Sequence, residues 1–184
     1  GELHEVSTSV KLPEFSRLAP DRIEVASKTI SLARPDCKNQ AENLAKKLLK
    51  TCNFGDEEKV VLHGDVHPKN GILQDDETVA LIDFDQLSTG NPAAEIGSFL
   101  AGLHYKKIIG LDSKKERREF SEAFLQGYAE IRQLPSQESL NWHTATALLT
   151  ERALRSILRI RVEGLQNFSQ ILKVAEQVLA GGEK

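Results

Sequence analysis

Three polar residues stand at spacings that could do chemistry: Asp65, Asn70 five positions on, and Asp83 thirteen beyond that. They lie in two short segments, VLHGDVHPKNGIL at residues 61–73 and VALIDFD at residues 79–85. A carboxylate and an amide carbonyl are hard oxygen donors of the kind magnesium takes. A second carboxylate beside them could orient a hydroxyl and accept its proton. These are the needs of phosphoryl transfer, which asks little covalent chemistry of a protein. A rigid hairpin between the two aspartates would keep their charges from opposing each other directly.

The elements that must position these residues are short. Val60-Val61-Leu62 follows an acidic turn (Asp56, Glu57, Glu58), and Ile72-Leu73 is joined through Asp75-Asp76-Glu77 to an apolar run from Thr78 to Phe84. Such runs around a polar turn predict a small β-hairpin. The polar segment His63 to Asn70 falls between strands, where function concentrates. Ahead of it, residues 1–20 hold Pro13 and Pro20 and read as an irregular lead-in with a short helix at most. Asp21 to Arg34 and Lys38 to Thr51 carry apolar residues at helical spacing, and Pro35 stops the first.

From Asn91 onward the pattern is helical. Asn91-Pro92 is an N-cap followed by proline at the first helical position. Ser113-x-x-Glu116 is a capping box, and the helix behind it places Phe120, Phe124, Tyr128 and Ile131 at spacings of four and three; Phe120, Phe124 and Tyr128 are read as core, as is Trp142. A long helix from Ser136 to about Arg161 and a last one from Asn167 to Leu179 complete the chain. Arg152, Arg155 and Arg159 share a face of the long helix. With Glu151 and Glu163 close by, that face reads as solvated, an anion site being the alternative. The expected fold class is α+β, mainly helical, in one domain over residues 1–184.

Composition narrows the function classes. The chain has 184 residues, 40% hydrophobic and 28% charged, with a formal net charge of −3. That suits one folded domain and excludes a disordered chain. It is also not the strongly basic balance of a nucleic-acid binder. No apolar run approaches the roughly 18 residues of a spanning helix, and residues 1–11 do not form a signal peptide. A cytoplasmic protein without membrane or nucleic-acid partners is expected. The acidic excess lies in residues 1–90, which hints at bound cations there. Cys37 and Cys52 read as free thiols. With glycine first and no methionine, the chain has the look of a fragment of something longer.

The segment His63-Gly64-Asp65-Val66-x-x-x-Asn70 matches the kinase catalytic-loop pattern H-R-D-L-x-x-x-N at its His, Asp and Asn, with Gly64 where the arginine would be. Asp83-Phe84 opens like the metal-holding D-F-G, with Asp85 in place of its glycine. Together with Gly90-x-Pro92 and Glu95, these segments resemble the aminoglycoside phosphotransferase and choline kinase group, small-molecule kinases with a protein-kinase-like fold. The resemblance implies a C-terminal lobe in which Asp65 is the catalytic base and Asn70 and Asp83 are magnesium ligands. ATP and a small-molecule hydroxyl would be the substrates.

Around that frame, Asp85 is assigned as a further metal ligand, a substrate carboxylate or a turn cap being the alternatives. His67 and Lys69 are assigned to the nucleotide phosphates, and His63 to holding the loop. The family usually has Asp where Glu95 stands, bracing the loop. Its N-terminal lobe, with ATP-covering strands and a lysine, has no counterpart in the sixty residues before Asp65, so the chain alone is expected to be inactive. Two other functions compete: a non-catalytic kinase-like binding module, and a metal-dependent hydrolase using His63, Asp65 and His67 on alternate positions of an extended segment. The mildly basic second half makes a neutral sugar or alcohol at least as good an acceptor as a cationic aminoglycoside.

Overall fold

A computed structural model describes residues 1–52, 58–76 and 78–182. Asp56, Glu57 and Glu77, assigned above to acidic turns, lie outside the described residues. Eight α-helices and four short strands are present among the described residues: α1 (Pro20–Ala33), α2 (Lys38–Thr51), β1 (Val60–Leu62), β2 (Gly71–Leu73), β3 (Val79–Leu81), β4 (Ser88–Gly90), α3 (Pro92–Ile108), α4 (Lys114–Ala129), α5 (Gln137–Ala147), α6 (Leu154–Leu158), α7 (Val162–Gln166) and α8 (Phe168–Leu179). The architecture is mainly helical with two small antiparallel sheets.

The core lies between α1, α2, α5 and α8. Each contributes one apolar stripe: Ile23, Ala26 and Ile30 from α1, Ala41, Leu44 and Leu48 from α2, and Phe168, Ile171, Leu172, Ala175 and Val178 from α8. A fully buried Leu, Ile or Phe contributes about 1.5–3 kcal/mol, so these stripes hold the helices without help from the sheets. Trp142 on α5 is buried against them. Its indole N–H donates to Leu48 O (2.9 Å), satisfying one carbonyl that the end of α2 leaves without a helical partner.

Two capping motifs read from sequence are present. Asn91 caps α3 by accepting from Ala93 N (2.8 Å), and the Ser113–Glu116 capping box opens α4. The stripe behind it is core only in its middle. Tyr128 is buried and Phe124 stacks on Phe99 of α3 (3.9 Å between centroids), but Phe120 and Ile131 are 54% and 48% exposed. Phe120 lies on the open side of α4 and Ile131 beyond its end, so periodicity alone overstated the buried face.

The largest departure is in the long helix. Residues Leu148–Ala153 form a π turn between α5 and α6, helix ends at Leu158, and a separate α7 intervenes before α8. A π turn inserts a residue and rotates everything after it relative to a 3.6-residue register. Glu151 is carried into the interior, 2% exposed, and Arg152 and Arg155 follow part-way; Arg159 is exposed. The solvated face expected for these arginines is therefore corrected for Arg152 and Arg155 and holds for Arg159.

The strands frame the polar loop. β1 pairs antiparallel with β4 (Val60↔Gly90 to Leu62↔Ser88), and β2 with β3 (Gly71↔Leu81 to Leu73↔Val79), the second pair being the predicted hairpin. The run expected to extend to Phe84 stops at Leu81. The lead-in is not idle: Phe15 N donates to Thr89 O and Thr89 N to Pro13 O, both 2.8 Å, so residues 13–15 line the edge of β4.

Helices α3 and α5 cross at Gly97, where an added Cβ would lie 2.8 Å from the His143 carbonyl carbon and the Thr144 nitrogen. Backbone cannot yield as a flexible side chain can. Gly97→Ala is expected to destabilise the protein by about 1–3 kcal/mol, the range for overpacking a filled interface. Chemical denaturation, with an unchanged slope and a lower midpoint, checks it.

Candidate active site

The loop from His63 to Asn70 is pinned at four points by three parts of the chain. The His63 ring is fully buried between β1 and the segment after β3; its Nε2–H donates to Ile82 O (2.9 Å), leaving Nδ1 to face Asp65 N at 3.4 Å. One neutral tautomer satisfies both contacts. Ile82 N in turn donates to Asn70 O (3.0 Å), so the two ends of the loop are tied to the same residue. β3 itself ends at Leu81, two residues before Asp83.

Glu95, in the first turn of α3, is the third point. It is 6% exposed, accepts from Gly64 N (2.7 Å) through Oε1 and pairs through Oε2 with His4 Nε2 (3.0 Å). His4 Nδ1 lies 2.9 Å from the Tyr128 hydroxyl, whose acidity burial weakens, pushing its pKa up to about 12; the phenol stays a donor to the ring. The helix N-terminus adds a partial positive charge favourable to the carboxylate. Glutamate therefore makes the contact to the loop that the family resemblance expects of an aspartate.

Arg17 is the fourth. Its guanidinium donates to Gly64 O, lies 3.7 Å from Asp65 Oδ1, and pairs through Nε with Glu151 Oε1 at 3.1 Å. This guanidinium reaches the loop from forty-seven residues earlier in the chain. Position 64 itself accepts only glycine: φ is +83°, and a Cβ would lie 2.1 Å from Gln86 O.

Asp65 is left partly exposed, with Arg17 at one carboxylate oxygen and His67 Nε2 3.6 Å from the other. Both distances exceed a hydrogen bond. The carboxylate feels positive charge without spending its lone pairs, which stay available to an incoming hydroxyl. It opens on a cavity of about 370 Å³ that His67 and Lys69 also line. His67 accepts from Lys69 N through Nδ1 (3.2 Å), which aims its Nε2–H at Asp65.

Asn70 is buried, and its amide nitrogen donates to Asp65 O (3.0 Å). The carbonyl Oδ1 is then the end that a cation could use. Asp83 is exposed and adopts left-handed backbone angles (φ 68°, ψ 61°). Outside glycine that conformation costs about 1–3 kcal/mol and gathers at functional sites. Asp85 is exposed and lines a different cavity, of about 220 Å³, with Arg17 and Gly64. An amide oxygen and aspartate carboxylates suit magnesium, whose remaining positions are filled by phosphate and water. Among the described residues, no three His, Cys, Asp or Glu side chains gather as a metal site. His63, with both ring nitrogens engaged, does not join Asp65 and His67 in the chelate a hydrolase would need.

Sequence reading missed His4, Arg17 and Glu151. His4 and Arg17 sit in an aperiodic lead-in, and Glu151 in a π turn; the sole hint was the absent arginine of the loop pattern.

Glu95→Ala leaves Gly64 N and His4 without their buried acceptor. A loss of about 1.5–3 kcal/mol is expected for a hydrogen bond to a charged group. Denaturant unfolding gives the magnitude, and amide hydrogen exchange at residues 63–66 should rise more than in α8.

No helix among the described residues is long and apolar enough to cross a membrane. Comparison with curated proteins and with solved structures finds no match. The sequence profile of the phosphotransferase enzyme family (APH) matches residues 1–107, from the His4 and Arg17 lead-in through the pinned loop to α3. With more than half of its length matched, and with the loop so braced, the chain belongs to the phosphotransferase enzyme family.

Proposed function

We propose that this chain carries the catalytic loop and acceptor side of a magnesium- and ATP-dependent kinase that phosphorylates a hydroxyl of a small molecule. The observation that carries the reading is the Asp65 carboxylate, held at the mouth of a cavity by a loop fixed on four sides, with its lone pairs unspent. Asp65 orients the acceptor hydroxyl and takes its proton as the oxygen attacks the γ-phosphorus. The bond from that phosphorus to the β–γ bridging oxygen breaks, and ADP departs. Asn70 Oδ1 and Asp83 would hold magnesium, with Asp85 as a further donor. Magnesium, when bound, offsets charge on the nucleotide phosphates. His67 and Lys69 face the transferred group, and Arg17 keeps the loop and Asp65 in register.

The described residues before β1 are helical or irregular. In this reading the protein that covers the nucleotide therefore lies outside residues 1–184, which alone bind Mg-ATP negligibly.

Asp65→Asn keeps the shape of the loop and removes the base. In the protein as its own cell makes it, turnover should fall about 10²–10⁴-fold, the usual share of a general base. Mg-ATP affinity by calorimetry should change less than about twofold, an asparagine in place of Asp65 leaving Asn70 and Asp83 untouched. Undiminished phosphate transfer overturns the base assignment.

A further inference from the structure

The cavity that Asp65 opens on has a charge pattern that its loop does not explain. Four cationic side chains line it, Lys69, Lys106, Arg152 and Arg161, against the single carboxylate of Asp65. Its other walls are largely apolar, among them Phe99, Leu103 and Leu111. A binding pocket normally commits a few polar groups to orient its ligand; here most of those groups are positive.

Internal counter-charges do not cancel them. Glu151, the buried carboxylate nearest to Arg152, is shared. It accepts from Ser98 Oγ (2.5 Å) and lies 3.1 Å from Arg17, 3.8 Å from Arg155 and 4.0 Å from Arg152. Arg152 gives Nη2 to Ser98 O (2.9 Å), while its buried Nε has no hydrogen-bond partner among the described residues. Burial lowers the pKa of both Arg152 and Arg155, Glu151 only partly opposing it, so these guanidiniums are short of compensating charge. Lys106 has Asp112 at 4.0 Å, but Lys69 and Arg161 have no carboxylate at ion-pair distance among the described residues.

The arrangement is built into the backbone. The π turn carries Arg152 inward, and Gly102 on α3 makes room for it, since a Cβ there would stand 3.2 Å from the guanidinium Nη2. Arg161 follows from the break after α6, where Ile160 takes a left-handed φ of 48°. Desolvated cations with unspent donors are costly unless something anionic arrives.

We infer that the acceptor is a small alcohol that itself bears an anionic group, a carboxylate or a phosphate monoester, held by Arg152, Arg161 and Lys106 while its hydroxyl meets Asp65. This rests on the phosphotransferase reading and names its substrate class. At about 370 Å³ the cavity is at the small end for ligand sites, the size of one sugar-like unit. A cationic acceptor would meet like charge there.

The test is calorimetric binding to the intact protein of four polyols with the same six-carbon skeleton: gluconate, glucose 6-phosphate, glucose and glucosamine. At least one of the two anions should bind about tenfold or more tighter than both glucose and glucosamine, and whichever anion leads identifies the group. Arg161→Gln should weaken that anion about tenfold and leave glucose unchanged, with folding confirmed by an unaltered melting curve; Arg152→Lys, which keeps the charge, should weaken it less. Equal or tighter binding of glucose or glucosamine, no binding by either anion, or anion binding indifferent to Arg161→Gln overturns the inference. γ-Phosphoryl transfer from ATP, followed separately, reports on the kinase reading: anions that bind but receive no phosphate count against that reading and not against the basic cavity.

Discussion

A buried carboxylate must be answered, and Glu95 is answered in a way that organises the site. Its two oxygens take Gly64 N and His4, at 2.7 and 3.0 Å, and the first turn of α3 lends its dipole. Hydrogen bonds to a charged group contribute about 1.5–3 kcal/mol each, enough to pin a loop that would otherwise depend on three-residue strands. The contact joins a helix anchored in the core to the backbone immediately before Asp65. It also recruits the lead-in, because His4 can bridge Glu95 and Tyr128 only if residues 1–5 lie against α3 and α4.

Glu151 plays the matching part on the other side of the loop. A glutamate at 2% exposure is tolerable only among cations, and Arg17, Arg152 and Arg155 surround it. Arg17 belongs to both networks: it links Glu151 to Gly64 O and Asp65. The loop is thus suspended between two buried carboxylates, one acting directly on its backbone and one through a guanidinium. Such networks give geometry more than net stability, since desolvation offsets much of the attraction. Geometry is what a loop that must present one bare carboxylate requires.

Legibility in the sequence followed the range of the interactions. Helices α2, α3 and α4 were readable because their signals are local, an apolar stripe and caps at Asn91 and Ser113. The β2–β3 hairpin and the spacing of Asp65, Asn70 and Asp83 were readable for the same reason. The pairing of β1 with β4, the placing of residues 13–15 on that edge, and the contacts of His4 and Arg17 join distant positions and leave no periodic trace. The π turn is the instructive failure. Periodicity assumes 3.6 residues per turn, so one inserted residue turned Arg152, assigned to solvent, toward a cavity.

The two halves of the site have opposite electrostatic character, and phosphate chemistry gives a reason to keep them apart. Asp65, Asp83 and Asp85 belong to the acidic loop region, where a divalent cation and its phosphates would reverse the local charge. Lys106 and Arg152 come from α3 and the π turn behind it, and Arg161 from the break between α6 and α7. Were those cations on the loop, they would compete with magnesium for the aspartates; were the aspartates on the helices, they would neutralise the arginines. Placing one set around a strand-framed loop and the other on α3, the π turn and the segment after α6 lets each keep its charge; of the aspartates, Asp65 is the one that shares a cavity with those cations. The glycines at 64 and 102 serve that division, one letting the loop backbone close on Gln86 and the other giving Arg152 its room.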